Sequence, residues 1–144
     1  MNRRRMLLNK EDKRFFIFEE GEGFMNGFNA ADSSYAVITD DFISLNNTRG
    51  ARINLSAAGD SFNDFSVAYF ECEVISGDSS YVGYNYYSGG NIPVAGKYKE
   101  VSAKARMVYT VPIYHDETNE FGIFNAKTGY GNCAFTKCYN IWLE

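Results

Sequence analysis

At 144 residues and 16.3 kDa the chain fits one domain, which at this size removes roughly 68–70% of its unfolded surface from water. Hydrophobic residues at 45% and aromatics at 17%, with twelve Phe and eleven Tyr against one Trp, exclude a disordered chain and favour strands. The net charge of −4 is uneven: residues 1–14 hold six of the fourteen basic side chains and two acids, leaving eight basic and sixteen acidic groups, a formal −8, in the rest.

In chain order, residues 1–14 read as a short charged arm, weakly helical over 7–13, with Arg3, Arg4 and Arg5 as a solvated cluster. The three apolar residues Met6, Leu7 and Leu8 are followed at once by charged ones, too short for a secretory core. No apolar run approaches the ~20 residues of a membrane span. The expectation is a protein made in the cytoplasm without a signal peptide.

Strand patterns then follow at 15–19, 35–39, 42–45 and 52–55, each bounded by Gly, Asp or Asn turn chemistry. Residues 65–75 form the longest, with Ala68, Phe70, Cys72 and Val74 on one face and Tyr69, Glu71 and Glu73 on the other. Further strands are read at 80–87, 97–101, 105–113, 120–125 and 133–143. Eight to ten strands in about 130 residues cannot bury both faces of one open sheet. The prediction is therefore an all-β, two-sheet antiparallel β-sandwich over residues 15–144, preceded by the arm at 1–14.

Cys72, Cys133 and Cys138 leave at least one thiol unpaired, and Cys72 reads as a small core residue. On a straight strand Cys133 and Cys138 face opposite ways, which disfavours a disulfide or metal pair between them.

The order of the strands at 65–75, 82–87, Val108 to Ile113, Phe121 to Phe124 and Tyr139 to Leu143 resembles the galactose-binding-like jelly rolls of carbohydrate-binding modules, in which the last strand returns beside the first. The opening Met1 to Leu8 is similar to the start of small tail-associated or minor structural proteins of phages and prophages. Together these resemblances imply a non-catalytic module that recognises a glycan or a cell-surface receptor, carried on a virion or phage tail. The alternative they allow is a structural protein whose aromatic faces pack against identical neighbours. A homo-oligomer is compatible with both. An acidic body without a basic stripe is not expected to bind nucleic acid.

Sugars are held by aromatic rings on their apolar faces and by a few Asp, Asn or Arg groups on their hydroxyls. Tyr81 to Tyr87 supplies both residue types. With Val82 and Tyr84 facing the core, Asn85 and Tyr87 are exposed, and Gly83 leaves a gap for a ring. Pairing of 65–75 with 80–87 as a hairpin brings Tyr69, Glu71 and Glu73 alongside, so these five residues form the predicted ligand site. Trp142 is assigned to the core.

Catalysis is not predicted. Glu71 and Glu73 share a face as glycosidase carboxylates do, but the next position there is Ile75, where jelly-roll glucanases of one large family place a third acid. His115 is the only histidine, within the polar turn 114–119. No cofactor is predicted; the oxygens of that turn, with Glu19, Glu20 or Asp40 and Asp41, offer a structural calcium a place that no loop spacing specifies.

Overall fold

The computed structural model describes residues 14–57, 59 and 61–144. The predicted arm lies outside them except for Arg14. Among the described residues twelve strands form: β1 (Phe15–Glu19), β2 (Gly23–Phe24), β3 (Phe28–Ser34), β4 (Ala36–Ile38), β5 (Ile43–Leu45), β6 (Arg52–Ala57), β7 (Val67–Gly77), β8 (Ser80–Tyr87), β9 (Asn91–Val101), β10 (Met107–Pro112), β11 (Glu120–Phe124) and β12 (Ala134–Leu143). One turn of 3-10 helix, Ser61–Asp64, lies between β6 and β7. No helix among them is long and apolar enough to cross a membrane.

The strands build two antiparallel sheets. One runs β10-β7-β12-β1-β2, with β5 also on β12 and β4 on β5; the other runs β3-β6-β11-β8-β9. This is the two-sheet sandwich predicted, and β12 does return beside β1, with Leu143 opposite Phe15 and Trp142 opposite Phe16. The alternation read in β7 is realised: Ala68, Phe70, Cys72 and Val74 are buried in the core, where Phe70 meets Phe121 of the other sheet at 5.6 Å between ring centroids.

Three features depart from expectation. β3, with the sequence FNAADSS, carries too few apolar residues to read as a strand, yet it pairs along β6 because Phe28 and Ala30 reach the core. β9 begins at Asn91, six residues before the predicted start. Most consequential, β7 and β8 are not a hairpin. Only Asp78 and Ser79 separate them, but the chain crosses from one sheet to the other there. Gly77 sits at φ 87°, and its missing side chain lets the backbone lie against Cys133 and Ala134, where a Cβ would meet atoms at 2.7 and 2.9 Å. β7 takes β12 and β10 as partners, while β8 pairs with β11 and β9.

A hub of buried hydrogen bonds ties the sheets together at the end where β8 starts. Asn125 Nδ2 donates to the carbonyls of Asn46, Thr48 and Ala134 at 3.0–3.1 Å. Ser80 Oγ donates to Asn125 Oδ1 at 2.6 Å and lies 2.6 Å from Thr136 Oγ1.

Candidate functional site

The crossover splits the five predicted ligand residues between opposite sides of the sandwich. Tyr69, Glu71 and Glu73 project from the seven-stranded sheet, whereas Asn85 and Tyr87 belong to the five-stranded one. They form no single site.

On the seven-stranded sheet the exposed face is internally satisfied. Tyr69 stacks on Trp142 with centroids 5.2 Å apart and planes 1° apart, and Phe16 follows at 6.0 Å. Trp142 is therefore buried, as expected, but on the outer face and not in the core: Tyr69 covers it on one side, and the Arg14 guanidinium lies 5.5 Å from its ring. Glu71 accepts from Asn140 Nδ2 at 2.7 Å and Glu73 from the Tyr139 hydroxyl at 2.7 Å. Burial and this bond to a carboxylate push the Tyr139 phenol up to about 12. Arg106 lies 3.5 Å from the Tyr139 ring centroid and reaches Glu20 through two bonds of 2.8 and 2.7 Å. The Arg106 bond holds the Glu20 carboxyl below its usual range.

On the five-stranded sheet Asn85 corrects the prediction of an exposed ligand. It is 0% exposed, because the β8–β9 hairpin bends back over the outer face. Asn85 lies opposite Glu120 at one end of β11, yet two residues later the Tyr87 ring sits 5.2 Å from Arg52, which pairs with Phe124 at the other end. Asn91 then donates to the carbonyls of Ala51 and Asn125 at 3.3 and 3.0 Å. Between Pro93 and Tyr98 four residues of β9 stand opposite the single residue Tyr84 of β8, and these three extra residues permit the bend. The Gly83 gap is likewise closed, since a Cβ there would lie 2.5 Å from the Lys97 carbonyl oxygen and 2.7 Å from Tyr98 Cα. Tyr87 does remain open, at 62% exposure.

Beneath the hairpin, buried polar groups are left over. Asn54 Nδ2 donates to Glu120 Oε2 at 2.6 Å, but Asn54 Oδ1 and both polar atoms of Asn85 have no hydrogen-bond partner among the described residues. Such groups are rare in folded proteins and call for an explanation.

Glu120 joins this polar pair to a cleft of ≈ 230 Å³ at the end of the sandwich. Phe62, Tyr84, Tyr114 and Phe121 give it aromatic walls, and His115, Glu117, Asn119 and Glu120 supply polar groups. The parts are fixed by local chemistry. Tyr114 N donates to the Tyr84 hydroxyl at 3.0 Å, their rings meet edge to face at 5.7 Å, and Lys97 Nζ lies 4.6 Å from the Tyr114 centroid. Glu117 Oε1 accepts from Thr118 N, Asn119 N and Asn119 Nδ2 at 2.9–3.1 Å, while Oε2 takes Lys97 at 2.6 Å. Lys97, with these amides, holds the Glu117 carboxyl below its usual range.

Sequence reading noted the polar turn 114–119 without connecting it to Phe62 or Tyr84. Only the fold does so, because Phe62 belongs to the 3-10 turn and Tyr84 to the inner face of β8. The carboxylates suggested for calcium are engaged by cations at Glu20 and Glu117. Among the described residues no group of three or more His, Cys, Asp or Glu is arranged to hold a metal ion.

The fold has solved counterparts. The chain superposes on a variant of CBM29-2, a family 29 carbohydrate-binding module, with a TM-score of 0.54 and 14% identity over 91% of each chain. It also superposes on CBM29_1, a family 29 carbohydrate-binding module from Piromyces equi, with a TM-score of 0.50 and 14% identity over 90% of this chain and 89% of that one. The β-sandwich expected from strand order is thus an architecture shared with these two family 29 modules. No family model matches the sequence, and no curated protein does. The phage likeness rested on Met1 to Leu8, outside the described residues, and no comparison adds to it.

Proposed function

We propose that this protein is a non-catalytic carbohydrate-binding module and that the end cleft beside Glu120 holds the sugar. The observation carrying this reading is one cleft that combines aromatic walls at Phe62, Tyr84 and Tyr114 with carboxylate and amide groups at Glu117, Asn119 and Glu120. Rings take the C–H faces of a pyranose and the oxygens take its hydroxyls. The family 29 modules of the same architecture are a supporting analogy of fold.

Affinity electrophoresis through gels containing soluble neutral polysaccharides, among them β-glucan, galactomannan and xylan, tests this. The wild type is retarded by at least one of them. Tyr114→Ala and Glu120→Gln each weaken that binding about tenfold, the scale of one lost polar or stacking contact. Free migration in every gel overturns the reading.

One observation favours a second reading, assembly with copies of itself. The strand β4 pairs with β5 at the edge of its sheet and presents Val37 at 57% and Ile38 at 42% exposure, beside Tyr35 at 63%; an edge with unpaired backbone groups and exposed apolar side chains is a template for another chain. Light scattering that returns a multimer, together with free migration in every gel, moves the assignment to a structural module.

A further inference from the structure

Outside the cleft, one stretch of surface reverses the sign of the domain. Only eight basic residues follow position 14, against sixteen acids, and three of them, Arg49, Arg52 and Lys127, gather around Tyr87. An open depression of ≈ 440 Å³ has Arg49, Tyr87, Lys127 and Thr128 in its lining, with Gly50, Gly89 and Gly90 giving it backbone walls. Among the described residues no carboxylate lines it.

Two of these cations, Arg49 and Lys127, are positioned but not neutralised. Arg49 donates to the Gly131 carbonyl at 2.5 Å and the Asn132 side-chain oxygen at 3.4 Å, and Lys127 Nζ donates to the Ser88 carbonyl at 3.0 Å. All three acceptors are uncharged, and neither side chain has an ion-pair partner among the described residues. Gly90 permits the arrangement, since a Cβ there would lie 2.6 Å from Lys127 Cβ. Arg52 is paired with Asp32 at 2.5 Å and braces the Tyr87 ring from 5.2 Å.

We infer that this depression is a second subsite, one that takes the carboxylate of an acidic sugar. It rests on the carbohydrate-binding reading and adds the class of glycan. Arg49 and Lys127 provide charge-assisted donors for a carboxylate, and exposed Tyr87 provides a face for the ring that bears it. The ligand's charge must be sparse. A body with a formal −8 repels a dense polyanion, whereas an isolated uronate branch on an otherwise neutral chain meets only the local cations.

The test compares glucuronoxylan with the same polymer after chemical reduction of its carboxyl groups, by titration calorimetry at low and moderate salt. The wild type binds the acidic form about tenfold more tightly, the yield of one or two charge-assisted bonds, and the difference shrinks as salt rises. Lys127→Gln and Arg49→Gln each remove most of that difference and leave binding of the reduced polymer unchanged; unaltered thermal midpoints show that both variants fold. Equal affinity for the two polymers, or a difference that survives both substitutions, overturns the inference while the neutral-glycan reading stands. Competition by single-stranded DNA at equal charge concentration also overturns it, in favour of a general polyanion site. Failure of every polysaccharide to bind removes the reading underneath.

Discussion

Asn125 shows how much one buried polar residue can organise. Its amide nitrogen has two protons for three carbonyls, so at least one bond is shared, and its oxygen receives Ser80 Oγ. The carbonyls belong to the 46–48 turn and to β12, while Asn125 itself follows β11, so one side chain fastens elements of both sheets. Asn125→Ala leaves those buried acceptors unpaired and is expected to cost about 3 kcal/mol, from 1–3 kcal/mol for each buried group left unsatisfied less what water recovers. Urea unfolding reads this as a lower midpoint with an unchanged slope. A loss under about 1 kcal/mol means the carbonyls find other donors. Nothing in the sequence distinguishes Asn125 from a residue ending a strand, because its partners lie up to 79 positions away.

Among the elements, β7 and β12 were the most legible and also carry a chemical test. Period-2 alternation gave the inward set of β7 correctly, since burial on one face writes itself into alternate residues. That set includes Cys72, which lies directly opposite Cys138 of β12. A register shift between Cys138 and Asn140 follows, so strict alternation fails beyond it. Both thiols are buried, and burial pushes Cys138 well above its usual range. Cys133, just before β12, is only half-buried and lies 3.0 Å from Asn47 Oδ1. The native protein is expected to show one thiol reacting readily with Ellman's reagent, and all three in denaturant. Two or three fast native thiols would mean that β7 and β12 separate in solution.

The same elements show why the candidate site was not legible. A Gly, Asp and Ser stretch between two apolar runs serves a hairpin and an arch between sheets equally well. Taking it as a hairpin placed Tyr69, Glu71 and Glu73 beside Asn85 and Tyr87. Which turn forms depends on Gly77 packing against Cys133 and Ala134, some 56 residues later in the chain. The bend that buries Asn85 is likewise set by the extra residues of β9, whose start at Asn91 carries Gly and Pro neighbours and no alternation.

For the whole molecule, the titrating groups predict an asymmetric stability profile. Glu20 and Glu117 have carboxyls held low by Arg106 and Lys97. Depressed folded values contribute stability above the ordinary carboxylate range, and this is lost as pH falls through them. Both pairs sit at the surface, so the acid limb is shallow. The alkaline limb has a different origin. Burial raises Tyr81 and Tyr84, and Tyr139 stands at about 12 through burial and its bond to Glu73. An unfolded tyrosine titrates near 10. A raised folded value favours the neutral phenol in the native state, so its stabilisation is complete below pH ~10 and drains away as pH rises through the folded value near 12. The thermal midpoint is therefore expected to fall steeply between about pH 10 and 12, as the acidic body gains still more negative charge. Tyr139→Phe cannot ionise there, so it starts from a lower midpoint at neutral pH, having left Glu73 without its donor, and declines less across that window. Melting followed by circular dichroism from pH 7 to 12 decides the matter. A decline that begins below pH 9, or one that Tyr139→Phe leaves unaltered, would place the alkaline transition elsewhere than in these buried phenols.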